Sequence, residues 1–407
     1  MPLLCSRVVP RPIHTVQSQF EALRVREITV SIEETMAVHT ILIDFTVTPS
    51  KVKSEWQKIS SSVEKVLSGY LPDLTPLRKE SIEDGQEPKP LSTFTAKRDT
   101  YVIVRGFPNG LVTVNVEYFK REDEEPLLTF DDVKKIESSV SELIESNKSH
   151  KYPPIKRGPN IDRYFLTSDE RILEYDIDKV IFEEKSPYQK VQIVHSKSLG
   201  NLLLLDELQN LAESDLIYTE TLMQRGKINY ENKEIVILGG GDGALLYELL
   251  KEKPKFVTML ELDPVVLRAC KEHLRGCCGD CLDTMKGENY EIIVDDCIYS
   301  LDKMIAEGKK VDFVFGDLTD IPVATSPQGE AWDFIKLILN MSFKVLAPNG
   351  KYLTHGNGAS SPESLKMFET VLSSLEVPVE FSTDHAFVPS FLEDWIFYQI
   401  WAKPQSK

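Results

Sequence analysis

The chain of 407 residues contains no apolar run that approaches the roughly 18 residues a membrane-spanning helix requires, so no helical span is expected. It also has no basic excess: 47 Lys and Arg stand against 64 Asp and Glu, a formal charge of −17. Nucleic-acid binding depends on basic patches that release counterions, so no nucleic-acid partner is expected. An acidic protein attracts cations instead, and its charge keeps it dissolved in the cytosol. Cysteine is scarce outside one region, with five of the six between Cys270 and Cys297. That is not the framework of a secreted scaffold, and it points to a reducing, cytoplasmic compartment. Cys270, Cys277, Cys278 and Cys281 match no standard zinc spacing and the seven histidines form no ligand pair, so no metal is expected. The first 20 residues hold Arg7, Arg11 and three prolines but no clear amphipathic face. Residues 1–35 therefore read as a poorly ordered leader, faintly like a transit peptide, with Met36 as an alternative start. No internal repeat is visible.

Three further units are present. Residues 36–150 read as a small α+β domain. It comprises a strand from Val38, a helical face at Val52, Trp56, Ile59, Val63, Val66 and Tyr70, and a Pro- and acid-rich loop over 71–90. Two alternating strands around Pro108-Asn109-Gly110 and a polar helix near Asp131 to Ser149 follow. No chemical constellation is visible there, so scaffolding or dimerisation is its expected role. Residues 151–215 read as a small β-rich subdomain, with RILEYDIDKVIFEE, KVQIVHS and the buried-looking Leu202 to Leu205, suited to form a lid or wall. From 216 to 407 strands and helices alternate, which predicts an α/β, doubly wound, Rossmann-like domain with a mostly parallel sheet.

The most informative segment is EIVILGGGDG, Glu234 to Gly243, followed by the helical ALLYELLKE and by LELD at Leu260 to Asp263. Glycines allow a sharp turn and close approach to a ligand, and an acid at the tip of the next strand, Glu261, suits ribose hydroxyls. Asp242 departs from a pyrophosphate loop. A carboxylate beside a helix N-terminus would repel phosphate, so a nucleoside with a cationic tail is the better occupant.

In such sheets ligands sit at the carboxyl ends of the strands. Successive predicted strands end in Asp242, Glu261, Asp295-Asp296 and Asp317. Any one alone reads as a helix cap or turn residue. Together they make a cleft that holds a polycation and in which mutual repulsion raises a carboxylate's pKa toward that of a useful base.

With these motifs stand SPYQ at Ser186 to Gln189, LAESDLIYT at Leu211 to Thr219, VDDC ending at Cys297 and GDLTDIP around Asp317. The set closely resembles the aminopropyltransferases, nearest to the spermine-forming members, from about Tyr152 onward. The N-terminal unit is similar to those members' dimerising domain, itself like S-adenosylmethionine decarboxylase, with FPNGLVTVNVEY the best local match; a homodimer is implied. The resemblance implies transfer of an aminopropyl group from decarboxylated S-adenosylmethionine, a co-substrate, to spermidine, giving spermine and 5′-methylthioadenosine without a bound cofactor or metal. It also implies that Glu261 holds the ribose, Asp296 the adenine amino group with Cys297 lining the base, and that Gln189 closes over the nucleoside. Asp242 takes the ammonium of the aminopropyl tail and disfavours a donor that keeps its carboxylate. Tyr218, Phe391 and Glu393 form the acceptor site, and Asp317 is the general base with Asp242 beside it. Phe391 stands where the family has tyrosine, and Ala244 where it usually has glycine. Asp320 resembles a second acid of the spermidine-forming members, so putrescine is the alternative acceptor. The same sheet would also suit a methyltransferase or a catalytically silent polyamine-binding scaffold.

Overall fold

The computed structural model describes residues 37–82, 89–121, 124–158, 161–167, 171–318 and 329–404. The expected leader, Met36 and Asp320 lie outside the described residues.

The first unit comprises β1 (Ala37–Thr46), α1 (Pro49–Ser54), α2 (Trp56–Leu67), β2 (Thr75–Ile82), β3 (Lys89–Ala96), β4 (Thr100–Gly106), β5 (Leu111–Lys120), α3 (Phe130–Ile144), β6 (Lys148–Lys151) and β7 (Ile155–Arg157). The strands form one antiparallel sheet in the order β2-β3-β4-β5-β1-β6, with β7 also on β1. Alternation in β5 sends Val112, Val114, Val116 and Tyr118 into one core with Ile59 and Val63 of α2 and Ile136 and Val140 of α3. Burying each such aliphatic side chain stabilises the unit by roughly 1.5–3 kcal/mol.

Three local expectations change. The segment 71–90 is not all loop, because Thr75–Ile82 is an edge strand, a position that tolerates the missing N–H of Pro76. The single helical face over 52–70 is split at Glu55, whose ψ of 20° interrupts the run. Helix α3 starts at a Thr129/Asp132 capping box but ends at Glu145, in the left-handed region, short of Ser149. The chain then pairs with β1, so the first sheet runs past residue 150 to Arg157.

The second unit holds a small hairpin of β8 (Tyr164–Leu166) and β9 (Ile172–Glu174). A four-stranded antiparallel meander of β10 (Ile177–Lys185), β11 (Lys190–Ser196), β12 (Gly200–Leu205) and β13 (Leu208–Ala212) follows. The expected RILEYDIDKVIFEE strand is thus two strands. The LLLL run is explained by covering on both faces: Leu202 and Leu204 enter a local core with Phe165 and Tyr175, while Leu203 and Leu205 enter the core of the third unit.

The third unit follows as α4 (Leu216–Leu222), β14 (Glu234–Gly239), α5 (Ala244–Leu250), β15 (Phe256–Glu261), α6 (Pro264–His273), α7 (Arg275–Cys278), β16 (Tyr290–Val294), α8 (Cys297–Ala306), β17 (Val311–Asp317), α9 (Gly329–Val345), β18 (Leu346–Gly358), α10 (Pro362–Ser373), β19 (Val379–Val388) and β20 (Glu393–Ala402). Its sheet has the order β16-β15-β14-β17-β18-β20-β19, parallel from β16 to β18 and antiparallel beyond. In β14, Ile235 and Ile237 face one helical layer while Val236 and Leu238 face the other, so both sheet faces are covered. This is the doubly wound, Rossmann-like architecture that the alternation predicts. Its chain order reverses between β14 and β17, the crevice where such sheets bind ligands. Among the described residues, no helix is long and apolar enough to cross a membrane.

Candidate functional site

The glycine loop after β14 is bare because two carboxylates come against it. Gly240, at φ +72°, donates its N–H to Asp317 O at 3.1 Å, and a Cβ there would stand 3.3 Å from Asp317 Oδ2. At Gly241 a Cβ would stand 2.6 Å from Glu261 Oε2, so a side chain would collide with the carboxylate. Asp317 ends β17 and Glu261 ends β15, the two neighbours of β14, so sheet pairing fixes both acids beside the loop. Asp242 completes the group, its Oδ1 accepting from Ala244 N at 2.8 Å at the start of α5. Ala244 itself is buried, and its methyl packs in the core.

These acids are surrounded by protein and by one another's fields. Burial, then the charges of Asp242 and Glu261, push Asp317 up to about 8, although the Tyr218 hydroxyl opposes the shift. Burial pushes Glu261 up to about 7; the Asp263 N–H, donated to Oε1 at 2.8 Å, opposes this, while the charges of Asp242 and Asp263 add to it. Burial also raises Asp242. Asp242 and Asp317 nevertheless keep partial solvent access, so a cation can reach both. The cleft therefore favours positive charge, and at neutral pH it holds a carboxylic acid close to its ionisation point.

Tyr218, on α4, donates to Asp317 Oδ1 at 3.3 Å. Its ring meets Phe397 at 5.2 Å and Phe391 and His355 at 6.0 Å, making an aromatic wall beside Asp317. Phe391 closes a short 3-10 turn over Pro389–Phe391 and stacks near Trp395 at 4.6 Å. Glu393, two residues on, is buried. Its Oε1 accepts from Ser360 N at 2.7 Å and its carboxylate lies against Gly358, so part of its acceptor capacity serves the backbone.

On the other side of the glycine loop, the tip between β10 and β11 reaches the end of β15. Ser186 Oγ and Gln189 Nε2 both donate to Asp263 Oδ2, at 2.7 and 3.2 Å, while Asp263 Oδ1 caps α6 by accepting from Val265 N. Gln189 is thereby brought to the strand carrying Glu261. Asp296 is exposed and caps α8, its Oδ1 accepting from Ile298 N at 2.9 Å. It lies two residues past Val294, the partner of Glu261 across the sheet. Cys297 is buried next to it, its thiol pushed up to about 11 by burial and by Asp296.

The strand ends thus gather Asp242, Glu261 and Asp317, and α4 brings Tyr218 to the last. Gln189 and Asp296 join at the rim of Glu261, and Phe391 joins through Tyr218. Three participants were missed by sequence reasoning. Asp263 had a signal, an Asp-Pro pair at a strand-to-helix junction. His355 lies at a strand end, with Nε2 2.9 Å from Leu318 O and Nδ1 3.1 Å from Gly356 O; burial lowers its pKa. Asp215 is fully buried and accepts from Ala212 N at 2.7 Å and from Ser390 N at 2.9 Å, which ties α4 to the Phe391 turn. Cys270, Cys278 and Cys281 are buried core residues, the last two donating to backbone carbonyls.

Family models and relatives of known name match most of the second and third units. Residues 215–407 match the spermine/spermidine synthase domain and residues 164–213 the spermidine synthase tetramerisation domain. A polyamine aminopropyltransferase of Sulfurisphaera tokodaii is 33% identical over 231 residues, covering 54% of this chain and 71% of the relative. One from Sulfolobus acidocaldarius is 30% identical with the same coverages. A thermospermine synthase of Arabidopsis thaliana is 26% identical over 56% of this chain and 66% of its own length. The crystal structure of spermidine synthase from Thermotoga maritima superposes with a TM-score of 0.49 at 19% identity, over 60% of this chain and 79% of that one. With its nucleoside-type loop, its strand-end acids and a relative one-third identical over most of that relative's length, the chain belongs to the polyamine aminopropyltransferase family.

Proposed function

We propose that the protein is a spermine synthase, transferring the aminopropyl group of decarboxylated S-adenosylmethionine to spermidine. The observation that carries the reading is the cluster of half-buried Asp242, buried Glu261 and half-buried Asp317 with Tyr218 hydrogen-bonded to the last.

An alkylammonium has a pKa near ~10.4 and cannot attack while protonated. In the proposed step Asp317, ionised, accepts the proton of the attacking ammonium. The amine nitrogen bonds to the donor methylene carbon, and the carbon–sulfur bond breaks with its electron pair going to sulfur, which leaves as the neutral thioether 5′-methylthioadenosine. The sulfonium is already a good leaving group, so the chain chiefly aligns nitrogen, carbon and sulfur; positioning of this kind supplies up to roughly 7–11 kcal/mol. Glu261 holds the ribose hydroxyls, Asp296 and Cys297 the base, and Gln189 covers the nucleoside from its anchor on Asp263. Asp242 pairs with the ammonium of the tail, and the carboxylate of ordinary S-adenosylmethionine would meet it with like charge. Tyr218, Phe391 and Glu393 line the acceptor. No resident cofactor or metal enters the scheme.

The test is product identification with purified protein, the decarboxylated donor, and putrescine and spermidine in competition. Expected products are methylthioadenosine and spermine. Spermidine formed from putrescine would overturn the acceptor assignment, and so would thermospermine, the product of the Arabidopsis relative's named activity. Absence of methylthioadenosine would overturn the reaction itself.

The same proposal takes the protein as cytoplasmic and as a homodimer formed by the N-terminal unit, whose helix-free sheet face exposes Tyr101 and Arg105. Molar mass by light scattering decides between that dimer and the tetramer suggested by the name of the domain matched at 164–213.

A further inference from the structure

A cavity of about 550 Å³ opens between the N-terminal sheet and the strands of the second unit, and it shares no lining residue with the strand-end cleft. Lys120, Arg121, Lys156, Arg163 and Lys197 line it. Three acids also line it, and each has a partner. Glu174 pairs with Lys156 at 3.0 Å, Asp176 accepts from the hydroxyls of Ser196 and Ser198, and Asp178 Oδ1 lies 2.7 Å from His195 Nδ1. Five cations against three carboxylates leave a positive wall in a chain whose formal charge is −17. Average surface charge does not explain such a local reversal. His39, also in the wall, senses this field: burial, then Lys120, Lys156 and Arg163, push it down to about 4.

We propose that this cavity binds a small anion bearing several phosphate oxygens. Its volume falls within the roughly 300–1,000 Å³ of ligand sites and it lies at a junction of units, a usual place for one. Arg121 and Lys197 are exposed, and among the described residues their side chains make no ion pair. A ligand with several negative oxygens suits cations spread along the wall better than a single carboxylate would.

The site is wired to the catalytic unit. Tyr175 lines the cavity, and its hydroxyl donates to Ser390 O at 2.6 Å. Ser390 N donates to Asp215, and the next residue is Phe391 beside Tyr218. Occupancy at Tyr175 therefore bears on the turn that presents Phe391 and alters the acceptor KM. This coupling rests on the acceptor reading above, whereas the binding does not.

The experiment is calorimetric titration of the full chain with inorganic tripolyphosphate, without polyamine, at low and high salt. The Arg121→Glu/Lys197→Glu double variant, matched to the parent in thermal melting, is the comparison. Expected are one site per chain, weakening with salt, and at least a tenfold loss in the variant, about 1.4 kcal/mol. No binding at about 1 mM, or equal binding by the variant, overturns the site. A spermidine KM shifted by tripolyphosphate in the parent but not in the variant supports the coupling. An equal shift in both reports pairing of the anion with polyamine in solution and overturns the coupling, as does no shift.

Discussion

Asp317→Asn separates the chemistry of the cleft from its electrostatic cost. Asparagine keeps an oxygen for the Tyr218 hydroxyl but can neither ionise nor accept a proton, so turnover should fall ~10²- to 10⁴-fold while methylthioadenosine affinity changes little. The same change should stabilise the ligand-free protein. Asp317 is raised from 3.8 to about 8, so between those values the unfolded chain ionises while the folded one resists. Its contribution is fully present below the unfolded pKa and is lost as pH rises from about 4 to about 8. At 1.36 kcal/mol per unit the displacement sets an upper limit of roughly 6 kcal/mol. Partial solvent access and sharing of the field with Asp242 reduce the expected gain to about 1–3 kcal/mol at pH 8.5, several degrees in Tm for a domain of this size. Melting of parent and variant without ligand from pH 4.5 to 8.5 measures it: the curves should converge at the acid end and separate at the alkaline end, with the variant higher. A variant that melts below the parent at pH 8.5, or one with undiminished turnover, refutes the reasoning.

Further outcomes follow from the same geometry. In the parent, kcat/KM should rise with pH through an apparent value near 8 before the alkaline limit, as expected if an ionised Asp317 is required; a profile flat from pH 6 to 9 would contradict this. Asp242→Asn should weaken the decarboxylated donor at least ~10-fold and narrow its advantage over ordinary S-adenosylmethionine, read by competition titration. Phe391→Tyr should lower the spermidine KM about 2- to 10-fold, one added hydrogen bond, without altering the donor KM. Asp263→Asn turns an acceptor of Ser186 and Gln189 toward donor character, so methylthioadenosine affinity should fall with a stability loss of about 1–3 kcal/mol in urea.

The site's acidic half was readable because a parallel sheet turns sequence position into space: a strand's last residue lands at one edge, and neighbours land side by side. Asp242, Glu261 and Asp317 needed only that rule and the glycines between them. Asp215 and Ser390 meet across 175 residues, a contact made by tertiary packing that no local pattern announces. His355 stands in KYLTHGN near the end of a strand, where a lone histidine carries no local sign of its partner at the end of another strand. Strand β2 escaped because its composition is that of a turn while its edge position forgives proline. Helix α3 stops short of Ser149 because Glu145 takes the left-handed region, although polar residues continue beyond it.

The four leucines of β12 also limit how the active cleft can open. Since alternate side chains anchor in different cores, swinging the meander away would tear Leu203 and Leu205 out of the catalytic body. The meander is then a fixed jamb rather than a door, and any opening of the cleft falls to the loops around it.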